Sequence, residues 1–288
     1  MQSRALLNIA LLVLIVLLGI YAYTTLQQQQ RANTPSKLIS LSADEIEHIT
    51  IRHNQRTLEL SRSAGNWRLR QPIDIEANSF RIDTLLKLLE TRSHASYPAA
   101  ELEPAKYGVS EAATAIRFND VSIEFGVVNP INNYRYVRIG DTVHLIDDHY
   151  YPLLSSQTGT LVARELIASD AKIEKLILPE MTLYRDDNGI WRSSSNSTNP
   201  DAINETLHQW QNSQAFGVHN YMPRESLADI SVYLAGEPEP LRFHVTDIDP
   251  WLIIARPDLD IEYHFNLEFY DRLLRPGSPS EQTDELIE

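Results

Sequence analysis

The strongest constraint on this chain is a run of nineteen residues, Ala5 to Tyr23, without one charge. It reads Ala-Leu-Leu-Asn-Ile-Ala-Leu-Leu-Val-Leu-Ile-Val-Leu-Leu-Gly-Ile-Tyr-Ala-Tyr, and Asn8 is its one strongly polar side chain. A helix needs about 20 apolar residues to cross the hydrocarbon core of a bilayer, so the run predicts a transmembrane helix over 5–23. A cleaved signal peptide carries a shorter apolar stretch, about 7–15 residues, ending in a small-x-small site. The nearest candidate here is Ala22 with Ile20 two positions earlier, set between Tyr21 and Tyr23. Arg4 directly precedes the run, and Gln27 to Gln30 separate it from Arg31. The positive-inside rule then gives a cytoplasmic stub, 1–4, and a periplasmic bulk, with the two tyrosines at the outer interface. The expected location is the inner membrane, single-pass.

Charge excludes one class of partner. Of the net −14, residues 1–40 contribute +3 from Arg4, Arg31 and Lys37, which leaves −17 on the rest. Such a surface repels phosphate backbones, so nucleic-acid binding is not expected. The chain has no cysteine, which removes disulfides, thiolate metal sites, a cysteine nucleophile and a lipid-modified cysteine. At 288 residues it has room for two domains of about 100 to 130 residues beyond the anchor.

Residues 24–43, polar and glutamine-rich with Pro35, read as a stalk. Beyond it, Ile49 and Ile51, then Leu58 and Leu60, then Trp67 and Leu69 alternate with polar residues, which predicts an antiparallel meander turning at Ser63 to Asn66. Phe80, Ile82, Leu85, Leu86, Leu88 and Leu89 fit one helical face, with Asn78 or Ser79 as N-cap. Two hairpins follow, Ile116 to Phe125 and Tyr134 to Ile146, and then a short helix near Tyr150 to Leu154.

The same order then recurs. Thr182-Leu183 echoes Thr57-Leu58, and Gly189-Ile190-Trp191-Arg192 echoes Gly65-Asn66-Trp67-Arg68. Ile203, Leu207 and Trp210 stand where Ile82, Leu86 and Leu89 stood. Tyr221 with Pro223 echoes Tyr97-Pro98, Leu241-Arg242-Phe243 echoes Ile116-Arg117-Phe118, and Tyr270 with Leu273-Leu274 echoes Tyr150 with Leu153-Leu154. Asn188-Gly189 predicts a tight turn with positive φ at both central residues. The expected fold is α+β: a transmembrane helix, then two tandem repeats of antiparallel strands packed on a helix. Their expected bounds are 44–155 and 172–275, with a helical connector inside 156–171 and a disordered acidic tail over 276–288. Ser193 to Ser195 and Asn196 stand where Leu69 to Pro72 stood, so the two units diverge there.

The repeated order, the apolar N-terminal run and the two Gly-x-Trp-Arg hairpins resemble a bacterial family of domains of unknown function. Its members are membrane-tethered, often carry the domain in tandem, and are often encoded beside ABC-transporter genes of the gliding-motility auxiliary type. The resemblance spans nearly all of residues 1–275. It implies an accessory envelope protein of a transport-like assembly, and it brings no catalytic signature.

Chemistry-bearing residues are scattered. The densest cluster is His144, Asp147, Asp148 and His149, which offers cation-ligand types but also suits a strand running into a polar turn. Asp247 with Asp249, and Asp258, Asp260 and Glu262, form acidic strings. The second string alternates with Leu259, Ile261 and Tyr263, as a half-solvated strand does. Ser155, Ser156 and Ser193 to Ser195 lack a nucleophile elbow, and no glycine-rich phosphate loop occurs. Asn196 and Asn204 begin formal glycosylation sequons. Trp67 and Trp191 would serve either as an aromatic platform or as sheet-face packing. No residue is assigned as catalytic, cofactor-binding or metal-ligating, and no cofactor is expected.

The expected function is a non-enzymatic, single-pass envelope protein whose duplicated region binds partner proteins beside an integral-membrane complex. The alternative is a tethered metal-dependent enzyme or ligand-binding protein with a site between the repeats.

Overall fold

The structure is a computed structural model that describes residues 14–21, 23, 36–168, 170–195 and 198–277. Its elements run β1 (Ser36–Lys37), β2 (His48–His53), β3 (Arg56–Ser63), β4 (Asn66–Gln71), β5 (Ile75–Glu76), α1 (Ser79–Leu86), β6 (Arg92–Ser93) and β7 (Ala95–Pro98). There follow β8 (Thr114–Phe118), β9 (Val121–Val128), β10 (Arg135–Ile139), β11 (Thr142–Ile146) and α2 (Tyr151–Leu154). Next come β12 (Ile173–Ile177), β13 (Thr182–Arg185), β14 (Trp191–Ser193), α3 (Pro200–Asn212) and β15 (Gly217–Asn220). The series ends with β16 (Ala228–Leu234), β17 (Leu241–Asp247), β18 (Trp251–Arg256), β19 (Ile261–Asn266) and α4 (Phe269–Leu274).

The expected fold class is corrected on two counts. The described residues are dominated by two antiparallel sheets, of nine and eight strands, with few and short helices. The expected transmembrane helix is not seen either: no helix among the described residues is long and apolar enough to cross a membrane. Within 5–23, residues 14–21 and 23 are helical and the others lie outside the described residues. The expected connector helix is also absent among the described residues. Thr158–Leu161 forms one 3₁₀ turn, after which Val162 and Glu165 make isolated bridges to Ala77 and Gln214.

The chain divides into two compact units, residues 1–57 with 83–155, and residues 58–82 with 156–288. In the first, six strands lie in the order β2-β8-β9-β10-β11-β7. Period-two burial explains them: Ile49 and Ile51 in β2 face inward opposite Phe118 and Ile116 in β8, and Ile123, Phe125, Val137, Val143 and Ile146 continue the buried layer. Leu85, Leu88 and Leu89 are fully buried, but the helical face ends early, because Lys87–Glu90 tightens to 3₁₀. The segment read as a stalk joins this unit at its end. Ser36–Lys37 pairs with Arg92–Ser93, and Leu38 and Ile39 are buried.

In the second unit, six strands lie in the order β12-β16-β17-β18-β19-β15. Hairpin β13–β14 precedes α3 here, as hairpin β3–β4 precedes α1. The strand orders match element by element, and they correct one equivalence. Phe118 lies in β8 and Phe243 in β17, whereas the counterpart of β8 is β16. The Leu-Arg-Phe echo therefore falls on different strands. Where β4 has six residues and a further partner in β5, β14 has three.

Helix α3 is the best-specified element. Asn199 caps it by accepting the Ala202 N–H at 2.8 Å, and Pro200 occupies its first position. Ile203, Leu207 and Trp210 form its buried stripe, and the Trp210 ring meets Phe243 edge-on at 5.4 Å. The Trp210 indole N–H also donates to the Leu273 carbonyl at 2.8 Å, which ties α3 to α4. The loop before β14 differs from the expected turn. Gly189 alone has positive φ, and the Asp186 carboxylate accepts the Asn188 and Ile190 N–H groups. A side-chain bracket replaces the backbone strain of a two-residue turn.

A groove and a buried carboxylate in the second unit

The sheet register lines up one row of residues across five strands of the second unit. Asp229 in β16 faces His244 in β17, which faces Ala255 in β18, then Glu262 in β19, then His219 in β15. Side chains at registered positions share a sheet face, so this row is the polar stripe of the sheet. His244 Nδ1 and the Asp229 carboxylate lie 2.6 Å apart at its outer end, where they are partly exposed.

Glu262 sits in the buried stretch of the row, 1% exposed. One carboxylate oxygen accepts from Arg224 at 3.2 Å and lies 2.8 Å from His264 Nε2, while the other accepts the Met222 N–H at 3.0 Å. A buried carboxylate is tolerated when its oxygens are met by donors in this way. Arg224 comes from the segment between β15 and β16, and its second nitrogen reaches Thr246 Oγ1 at 3.5 Å. The arrangement locks that segment to the sheet, and it leaves the carboxylate committed inside the protein rather than aimed at a ligand.

His219 stacks obliquely on His264 with centroids 4.5 Å apart. Burial and then the neighbouring His264 hold its pKa below the ordinary imidazole value, against an opposing pull from Glu262. Phe216 continues the aromatic contact, meeting His264 and Trp251 edge-on at 6.1 and 5.6 Å.

Beside this row lies an open groove of about 560 Å³ within the same unit. Its walls include Asn78, Phe80 and Arg81 at the start of α1, Gly159, Thr160 and Arg164 from the segment after α2, and Phe216 to His219 of β15. Among the described residues no carboxylate lines it, although the chain as a whole is strongly acidic. Asn78 fixes one wall by accepting the Arg81 N–H at 3.1 Å and the Ile82 N–H at 3.0 Å. The other wall depends on Gly159: a Cβ there would lie 2.7 Å from the Val218 carbonyl oxygen, so only glycine allows the segment to lie on β15. Arg164 donates to the Gln214 amide, which in turn donates to Glu165 at 2.7 Å. The guanidinium thus meets a neutral group first. Glu165 and Glu76 line a smaller neighbouring hollow of about 300 Å³.

The clusters singled out from the sequence disperse. His144 is buried in β11, and Asp147 pairs with His94 at 3.1 Å. Asp148 pairs with Arg135, whose guanidinium also lies 3.7 Å above the Tyr151 ring, and His149 is exposed. These four residues are not brought together. In the second acidic string, Asp258 pairs with Arg256 and Asp260 has left-handed backbone after a 3₁₀ turn. Glu262 alone belongs to the strand, so the expected half-solvated strand is corrected to a turn followed by a buried acid. Asp247 accepts the N–H groups of Ile248 and Asp249, its own turn.

Ser155 donates to the Tyr151 carbonyl, and Ser193 to Met181 and Thr198. Asn204 is exposed on α3, while Asn196 lies outside the described residues. Trp67 is buried under Arg62, and Trp191 is half-buried beside Arg185. Among the described residues no group of three His, Cys, Asp or Glu could hold a metal ion.

The sequence reading missed the groove and the Glu262 network. Glu262-Tyr263-His264 did carry a signal, because two titratable residues flank an aromatic at strand spacing. The groove carried none, since its walls come from three separate stretches of the chain, 78–81, 159–164 and 216–219. No curated protein and no solved structure matches the chain. Residues 67–231, more than half of the chain, match the family described as a domain of unknown function, DUF4340, and the chain belongs to that family.

Proposed function

We propose that the chain is a non-enzymatic accessory component of an ABC-transporter-like assembly at the inner membrane, binding partner proteins through its periplasmic bulk. The observation that carries this reading is the surface around the groove. Phe80, Phe216 and Trp251 are 69%, 47% and 46% exposed, and Arg81 and Arg164 stand exposed beside Phe80 and Phe216. Aromatic residues and arginine are the types that dominate the energetics of protein interfaces. Phe216 and Trp251, which meet edge-on, still leave nearly half of their surface to water, and a partner's cover would improve that arrangement.

Further support is of three kinds. The matching strand orders of the two sheets favour a duplicated binding module. The buried polar groups of the second unit are committed to one another, as suits a scaffold. The uncharged run of Ala5 to Tyr23 favours an apolar phase over water, and the acidic remainder favours a soluble face beyond it. The resemblance to membrane-tethered, transporter-associated domains adds the kind of assembly.

Affinity capture of the tagged full chain from detergent-solubilised membranes tests the reading. The expected result is co-purification of an integral-membrane protein in near-stoichiometric amount. Recovery of background proteins alone contradicts it.

A further inference from the structure

We propose that the groove beside β15 receives an acidic segment of a partner protein, with an apolar side chain of that segment seated against Phe216. This inference rests on the protein-binding reading above and names the chemistry of its partner.

Charge complementarity selects the occupant. The groove is lined by Arg81 and Arg164 and, among the described residues, by no carboxylate, on a chain whose net charge is −14. Against that background a cation-lined hollow attracts anions that the rest of the surface repels. Among the described residues neither arginine forms an ion pair with an acid. Arg164 meets the Gln214 amide, and the Arg81 guanidinium lies 6.0 Å from the Phe80 ring. Planar guanidinium forks match carboxylates in two-point contacts.

Shape and apolar content favour a peptide over a free anion. A groove of about 560 Å³ is far larger than an inorganic anion needs and falls in the usual range for organic ligands. Phe216, 47% exposed at one wall, offers a ring that a phosphate or acetate could not use, whereas a side chain such as Leu or Phe would cover it. The walls are prepared: Asn78 fixes the start of α1, and Gly159 lets the second wall lie directly on β15. Gly159 also covers Val218 and His219, so that stretch of β15 is not open for strand addition. The segment is therefore read through side chains.

The test uses the purified full chain and a fluorescein-labelled peptide alternating Glu with Phe and Leu, followed by fluorescence anisotropy. A peptide with Gln in place of Glu, and inorganic phosphate, are the comparison ligands. Saturable binding of the acidic peptide is expected, strengthened at low salt. It should weaken about tenfold in the paired Arg81→Gln, Arg164→Gln variant, the equivalent of roughly 1.4 kcal/mol. Phe216→Ala should weaken it as well, while Arg117→Gln, on the exposed face of β8, should not. Unchanged near-ultraviolet circular dichroism shows that the variants fold.

The proposal is overturned if the peptide does not bind, if the Gln peptide binds equally, or if the paired arginine variant binds as tightly as the parent. It is also overturned if inorganic phosphate binds as tightly as the peptide, which would make the groove a free-anion site. Membrane capture that survives the paired arginine substitution refutes the groove while leaving the accessory reading intact. Peptide binding without any membrane partner refutes the accessory reading and leaves the groove.

Discussion

Glu262 shows how one residue type takes opposite roles in two settings. Asp258 and Asp260, a few positions earlier, lie in a turn, whereas Glu262 is 1% exposed and held by Arg224, His264 and the Met222 N–H. Removing one member of a buried pair costs more than the pair contributes, because the partner's charge is stranded. Glu262→Gln should therefore lower stability by about 2–4 kcal/mol, read from urea midpoints. A loss within experimental error would show that the network is not stabilising. His144 gives a second residue-scale test. Its Nδ1 is buried with no hydrogen-bond partner among the described residues, and burial holds its pKa below the ordinary value; His219 is lowered too. Below the unfolded imidazole value, near 6.5, the unfolded chain binds more protons than the folded one, so stability falls as pH falls through that value. His144→Leu should flatten the decline between pH 7.5 and 5.5. The lowered carboxyls of Asp74, Asp186 and Asp229 weaken the fold at lower pH, in the carboxylate range.

At the scale of elements, α3 concentrates its specification in a few side chains. Asn199→Ala removes the acceptor for the Ala202 N–H and should cost about 1 kcal/mol. Trp210→Phe keeps most of the buried ring but strands the Leu273 carbonyl, and should cost about 1–3 kcal/mol. Equal stability of both variants to the parent, by thermal or urea unfolding, would contradict this account. The same local logic explains what the sequence revealed. Strands such as β2, β4 and β9 were legible because one face is buried and polar residues alternate with apolar ones. The cap and stripe of α3 were legible because capping and 3.6-residue spacing are short-range signals. Helix content was overread: a helical spacing of leucines continues through Lys87–Glu90, yet the backbone there tightens to 3₁₀. The segment after α2 is expected to be helical, but its bridges to Ala77 and Gln214 are long-range pairings that no local pattern encodes. The groove was invisible for the same reason.

For the whole molecule, two sheets with matching strand order carry unequal surfaces. The described part of the second unit has the cation-lined groove and its aromatic rim, and its β14 is cut to three residues. Sequence divergence after the shared Trp-Arg thus coincides with a structural difference, a short strand in place of a long one. An acidic chain with a localised basic groove is suited to meeting one kind of acidic segment while repelling others. The most direct measurement of this account is site-specific photo-crosslinking in cells from position 216, with and without Arg81→Gln and Arg164→Gln. The account predicts one dominant adduct with an integral-membrane protein, mapped to an acidic segment and lost in the paired variant. No adduct, or an adduct indifferent to the two arginines, would contradict it.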